Sequence, residues 1–136
     1  MSRSFAPSPI VIDASALVEL LLRSATGTRV ERVVGDSELV APDLVNPEVV
    51  QSLRGLERGG KVTSARACTA IGRLAESDIA RVPTRMLLRD IWSLRANLSA
   101  YDACYVALAR ALDCPLVSTD KPLARAPKLG VTLICV

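Results

Sequence analysis

The chain has no histidine, and that single absence removes several kinds of chemistry at once. Ser-His-Asp triads, imidazole acid–base catalysis and the usual zinc sites all depend on that ring. Aromatic residues make up 3% of the sequence against 50% hydrophobic residues overall, so the core has to be built from Ala, Leu, Val and Ile. Such a composition suits a parallel sheet between helices better than an antiparallel sandwich. No apolar run approaches the roughly 18 residues of a membrane span. The opening Met1 to Pro9 segment is polar and proline-bearing, with no stretch of signal-peptide length after it. A cytoplasmic location with no membrane contact is therefore expected. No two of the cysteines (Cys68, Cys104, Cys114 and Cys135) have C-x-x-C spacing. Each stands among apolar neighbours and is expected to be a buried, reduced thiol. Internal repeats, low-complexity segments and linkers are missing too, so residues 1–136 are expected to form one domain with a sizeable core.

What the chain does contain is a slight excess of base, with 17 Lys and Arg against 14 Asp and Glu. If four of the acids share one pocket, the remaining surface carries about +7, seventeen bases against ten acids. A negative pocket in a positive surface suits a phosphate-backbone ligand that meets metal at its centre. Ordinary solubilising charge explains the same balance equally well. Without histidine, a catalytic metal would be bound mainly by oxygen, which points to Mg²⁺ or Mn²⁺.

Along the chain, Ile10-Val-Ile-Asp13 is a continuously apolar run ending in an acid, the pattern of a buried parallel strand. Ser15 is the expected cap of a helix through about Arg23, with Leu17, Leu20 and Leu21 inward. A second helix is bracketed by Gly27 and Gly35, and Leu39 to Ala41 forms the next strand. Pro42 to Arg58 reads as a helix in which Pro47 either makes a kink or marks the true first turn. Gly59-Gly60 ends it. Another helix is expected over Thr63 to Ser77, an edge strand over Asp78 to Val82, and a helix from Thr84 to about Leu94 with Leu87, Leu88, Ile91 and Trp92 facing the core. Leu98 to Leu112 follows as a helix, Pro115 to Asp120 as a strand, and Val131 to Cys135 as the last strand. Helices alternating with strands predict a three-layer α/β/α fold around a mainly parallel sheet of approximately five strands.

In an open parallel sheet, ligands sit beyond the carboxyl ends of the strands. Asp13 and Asp120 close strands at that edge, and Asp102 and Glu48 lie early in helices that start there. Four acids far apart in sequence therefore converge on one rim. Each also has a purely structural reading. Ser99-Ala-Tyr-Asp102 is a capping-box pattern, Glu48 suits a helix dipole, and Asp13 and Asp120 suit strand-end turns. Crowded carboxylates repel, and only cations or raised pKa values make such a cluster tolerable. Arg95 and Asn97, just before the Asp102 helix, are candidate substrate contacts; Arg95 pairing with an acid is the alternative. Lys121 and Arg125 are weaker candidates.

The segments Ile-Val-Ile-Asp13-Ala-Ser15-Ala-Leu, Pro-Glu48-Val-Val, Leu98-Ser-Ala-Tyr-Asp102-Ala-Cys-Tyr-Val-Ala-Leu-Ala and Leu-Val-Ser118-Thr-Asp120 together resemble a PIN-domain protein of the VapC toxin type. The resemblance spans nearly the whole chain and keeps the acids in family order; the departure is Pro47 directly before Glu48. It implies a Mg²⁺- or Mn²⁺-dependent endoribonuclease, the toxin half of a bacterial toxin–antitoxin pair. Asp13, Glu48, Asp102 and Asp120 would be its catalytic, metal-binding acids, and Ser15 and Ser118 the hydroxyls supporting them. It further implies a homodimer, a cognate antitoxin whose tail enters the groove, and products with a 5′-phosphate and a 3′-hydroxyl. The alternative is a PIN-like protein that binds RNA or a partner without cutting. A phosphoryl-transfer enzyme of the haloacid-dehalogenase type also begins with an apolar strand ending in Asp, but needs a second acid where this chain has Ser15. A response-regulator receiver needs an acidic pair after its first strand, which is likewise missing.

Overall fold

In a computed structural model of the chain, residues 8–124 and 129–136 are described. The run Pro9–Ile12 forms β1, and Ile10, Val11 and Ile12 are all buried. Successive strand residues point to opposite sides, so burial of all three means that helices cover both faces of the sheet. Asp13 caps α1 (Ala14–Leu22), Ser24 caps α2 (Ala25–Val34), and β2 (Glu38–Pro42) follows. Next come α3 (Val45–Arg58), α4 (Ser64–Glu76) and the short strand β3 (Ala80–Val82). A 3-10 turn at Thr84–Leu87 leads into α5 (Leu88–Ser93), then α6 (Ala100–Leu112), β4 (Leu116–Ser118), the four-residue α7 (Lys121–Ala124) and β5 (Leu133–Cys135).

The five strands form one sheet in the order β3-β2-β1-β4-β5, with every pairing parallel. This is the expected α/β/α architecture. The chain adds strands on one side of β1 and then crosses to its other side with β4. The crevice of such a sheet opens where the order reverses, between β1 and β4. Register there pairs Val11 with Leu116 and Ile12 with Val117. Asp13 and Ser118 are the next residues along the two strand segments, and the Asp13 N–H donates to the Val117 carbonyl at 3.1 Å. α6 packs on β1, β2 and β4, while α1 packs against α2, α3 and α4. Within the core, Ile12, Leu17, Leu53, Leu108 and Leu116 are almost fully enclosed.

Several expectations change in detail. Ser15 is not the cap of α1; Asp13 is, because β1 stops one residue earlier and the carboxylate reaches the free N–H of Ala16. α2 begins before Gly27, which lies inside it because a Cβ there would fall 2.1 Å from the Glu19 carbonyl oxygen of α1. Pro47 sits in the first turn of α3 and produces no break, since a first-turn residue has no intrahelical partner for the N–H that proline lacks. Leu87 is buried as expected and Ile91 packs against the core, but Trp92 is 68% exposed and Leu88 58%, because the 3-10 turn shifts the helical phase and Leu94 points inward instead. All four cysteines are free, but Cys68 and Cys135 are exposed.

Candidate active site

The centre of the carboxyl edge is a buried carboxylate held from several directions. Asp13 Oδ1 accepts the Ala16 N–H at 3.0 Å and the Ser15 hydroxyl at 2.7 Å, and Oδ2 accepts the hydroxyl of Ser118. Each serine then accepts in turn. Thr119 N–H donates to Ser15 Oγ at 3.0 Å and Asp120 N–H donates to Ser118 Oγ at 2.9 Å. The two hydroxyl oxygens lie 3.4 Å apart. Each has one proton, already given to Asp13, so their approach adds no further bond. This closed set ties the start of α1 to the loop after β4 and fixes the backbone that presents Asp120. Burial raises the Asp13 carboxyl above its usual 3.8 despite the bonds from Ser118, Ala16 and Ser15, and the charge of Asp120 adds to the rise.

Glu48 lies in the first turn of α3. Its Oε1 accepts the hydroxyl of Tyr105, on α6, at 2.6 Å. Its carboxyl is raised by burial, opposed by the Tyr105 bond, and raised again by the charges of Asp102 and Asp13. Tyr105 is 2% exposed, and burial with the facing carboxylate pushes its phenol far above the usual range. It stays protonated at neutral pH and holds Glu48 as a donor, not as a base.

Asp102 is the third residue of α6. The side chain capping this helix belongs to Ser99, whose Oγ accepts the Asp102 N–H at 3.1 Å. Burial raises the Asp102 carboxyl, the charge of Asp120 raises it further, and Ser99 opposes the shift. Asp120, partly buried, follows β4 by two residues. The four acids thus stand within electrostatic reach of one another, Asp120 acting on Asp13 and Asp102, and Asp13 and Asp102 acting on Glu48. Among the described residues, however, no three acid or thiol side chains already form a compact metal-ligating group. The donor set is carboxylate and hydroxyl oxygen throughout, which fits a hard divalent cation, and a cation among these acids would relieve the repulsion that raises them.

The flanking candidates are less engaged. Arg95 stacks its guanidinium over the Trp92 ring, 4.4 Å from the centroid, and donates to the Trp92 carbonyl at 3.0 Å. Neither Arg95 nor the exposed Asn97 hydrogen-bonds to one of the four acids. Lys121 is exposed at the start of α7, and Arg125 lies outside the described residues. Tyr105 was not singled out from sequence. Its signal is the three-residue spacing from Asp102, which sets both on one side of α6. Asp43 is another unanticipated acid of this edge, directly after β2; burial raises the Cys104 thiol, and the charges of Glu48 and Asp43 add to the rise.

A parallel sheet with carboxylates near its switch point is an architecture suited to a ligand at its carboxyl edge, and similarity to known proteins narrows the class. The PIN domain pattern matches residues 10–129. A VapC ribonuclease of Mycobacterium bovis, Mb0985, is 42% identical over 118 residues, which are 85% of this chain and 88% of the relative. Among solved structures, PAE2754 from Pyrobaculum aerophilum superposes with a TM-score of 0.65 at 24% identity, covering 93% of this chain and 83% of that one. VapBC2 from Rickettsia felis, solved bound to a DNA fragment from its promoter, gives a TM-score of 0.64 at 13% identity and covers 94% and 98%. The chain belongs to the PIN-domain family, and within it to the VapC type.

Proposed function

We propose that the chain is a metal-dependent endoribonuclease that hydrolyses RNA phosphodiester bonds as the toxin of a toxin–antitoxin pair. What supports this reading is that Asp13, Glu48, Asp102 and Asp120, from four separate segments, lie within electrostatic reach of one another, with burial and mutual charge raising three of them. The 42% identity to a VapC ribonuclease over most of both chains supports the substrate class. Asp13, Glu48, Asp102 and Asp120 would hold Mg²⁺ or Mn²⁺. When bound, such an ion lowers the pKa of water and neutralises charge that builds on the phosphate in the transition state.

The remaining roles belong to the chain itself. Ser15 and Ser118 fix both oxygens of Asp13, so its orientation is set before any ligand arrives. Ser118 also positions Asp120 through the Asp120 N–H. Tyr105 keeps its proton and donates to Glu48 Oε1, a bond that would hold this carboxylate in the site with Pro47 directly before it. Arg95, Asn97 and Lys121 are proposed contacts for the RNA backbone beyond it. As for partners, the VapC type supports silencing by a cognate antitoxin and pairing as a homodimer. Among the described residues no helix is long and apolar enough to cross a membrane; the proposed setting is cytoplasmic RNA, with residues 1–136 acting as one domain.

The test incubates the purified chain with structured and single-stranded RNA in Mg²⁺, in Mn²⁺ and in EDTA, beside Asp102→Ala. Cleavage that needs metal and is lost in the variant is the expected result. RNA binding that is unaffected by metal and by the substitution, with no cleavage, would establish the non-catalytic alternative. Light scattering of the same preparation checks the dimer.

A further inference from the structure

Beside Glu48 lies an open cavity of about 360 Å³ lined by Leu44, Pro47, Glu48, Gln51, Ser52 and Tyr101. One wall is the first two turns of α3, where Pro47 and Gln51, and Glu48 and Ser52, are four-residue pairs stacked on one face. The facing wall is Tyr101, the residue before Asp102 in the first turn of α6. Tyr101 is 64% exposed, although aromatic residues are scarce in this chain. The volume falls within the range of about 300–1,000 Å³ usual for small-molecule sites.

The chemistry of the lining selects its occupant. The only charged residue among the six is Glu48, a carboxylate, so a phosphate group is repelled. A neutral planar ligand is favoured, with the Tyr101 ring for its face, Pro47 and Leu44 for its apolar edge, and the Gln51 amide and Ser52 hydroxyl for its polar edge. These are the means by which proteins hold a splayed-out base of single-stranded RNA: aromatic stacking with hydrogen bonds to the base edge. Because Glu48 belongs both to this cavity and to the acidic cluster, a base seated here lies next to the acids.

We infer that the Tyr101–Gln51 cavity is a nucleobase subsite that takes one unpaired base of the RNA next to the bond being cut. The inference rests on the ribonuclease reading of the neighbouring acids and deepens it. Tyr101 supplies the binding energy by stacking, and Gln51 with Ser52 selects among bases.

The experiment has a cleavage arm and a binding arm. In the first, a randomised single-stranded RNA pool is cut in Mg²⁺ or Mn²⁺ and the cut ends are sequenced. In the second, the affinity of labelled single-stranded oligonucleotides, intact or with one abasic position walked along the strand, is read by fluorescence anisotropy in Ca²⁺. Tyr101→Ala is expected to weaken binding of the intact strand by about tenfold to hundredfold. It should weaken binding much less where the matching position is abasic, and should flatten the base preference at one fixed position beside the cut. Tyr101→Phe, which keeps the ring, should recover most of the loss. Gln51→Leu should change which base is preferred at that position. Thermal melting verifies that each variant is folded.

A wild-type cleavage profile and affinity in Tyr101→Ala would overturn the inference while leaving the ribonuclease reading intact. A change in solution mass on Tyr101→Ala would also overturn it, by assigning this face to contact between copies. Loss of a protein partner in that variant with RNA binding unchanged would assign the cavity to the partner instead. No cleavage and no RNA binding by the wild type under any condition would remove both readings together.

Discussion

On one flank of the acidic edge, Asp13 is 6% exposed and both its oxygens are engaged by two serine hydroxyls and a backbone N–H. On the other flank, Glu48 has one side-chain partner, Tyr105, and Asp102 has only Ser99, whose hydroxyl caps the helix and opposes the rise of the carboxyl. Both flanks carry acids with raised carboxyls, yet they are built oppositely. The Asp13 flank is part of the fold: it joins β1, the start of α1 and the loop after β4. The Glu48–Asp102 flank is a surface of two helix beginnings with an open cavity between them. The contrast separates two roles for an acid, holding the scaffold and standing open to a ligand, and the proposed function gives Asp13 both.

The sharpest way to break this comparison is Asp13→Ala. The change removes a helix cap, worth about 0.5–2 kcal/mol. It also leaves the hydroxyl of Ser118, which is fully buried, without its acceptor. Loss of a buried carboxylate offsets part of this. The expected net is a destabilisation of about 1–3 kcal/mol in EDTA by urea unfolding, together with loss of RNA cleavage. Stability equal to wild type would mean that the serine bonds contribute nothing and that the two flanks do not differ. On the open flank, Asp102→Asn is expected to reduce cleavage by at least about a hundredfold. In EDTA its stability should be unchanged or slightly higher, because one charge facing Asp120 and Glu48 is gone. A loss of several kcal/mol would instead give the Asp102 side chain the structural role that Ser99 fills.

The same division explains what could be read from sequence. The strand β1 and the acid after it were legible because an apolar tetrapeptide ending in Asp has few other places in an α/β fold. The side of the sheet on which each acid lies followed from the alternation of helix and strand. The cap of α1 was not legible, since Asp and Ser are equally good caps and they stand two residues apart. Trp92 was misplaced because Leu87, Leu88, Ile91 and Trp92 fit one continuous helix, and nothing local reveals that a 3-10 turn resets the phase at Leu88. The Tyr105 bond to Glu48 spans 57 residues and joins two helices whose facing depends on the packed sheet. Inside an Ala-rich helix that tyrosine reads as core, which it also is. Long-range pairing of polar tips is the part of a site that periodicity does not encode.

Tyr105→Phe sharpens the comparison by loosening the open flank alone. The ring stays and only the O–H is lost, so the expected change in stability is about 1 kcal/mol or less. Mn²⁺ affinity by titration calorimetry should fall by about tenfold, at the low end of what loss of an orienting partner does to a metal site. An unchanged affinity would mean that Glu48 finds its place without the tyrosine.

The smallest effect expected is on the pH dependence of stability. Asp13, Glu48 and Asp102 all have carboxyls raised above their usual values of 3.8, 4.5 and 3.8. A raised folded-state pKa means that the folded chain binds more protons than the unfolded chain between the two values. Stability from these groups is therefore fully present below the unfolded pKa and is lost as pH rises through the folded one. In EDTA, melting temperature attributable to these acids should fall as pH climbs from about 4 toward neutrality, and Mg²⁺ or Mn²⁺ at neutral pH should restore it. The flanks divide again here. Asp102→Asn should flatten the pH dependence with little change in its starting stability. Asp13→Asn should flatten it too, but from a lower start, because an amide cannot accept all the bonds that the two serines and Ala16 give to the carboxylate. Melting curves of wild type and both variants across that range measure this directly. A wild-type melting temperature that rises with pH in EDTA would show that other ionisations outweigh the cluster and that its acids are not strained against one another.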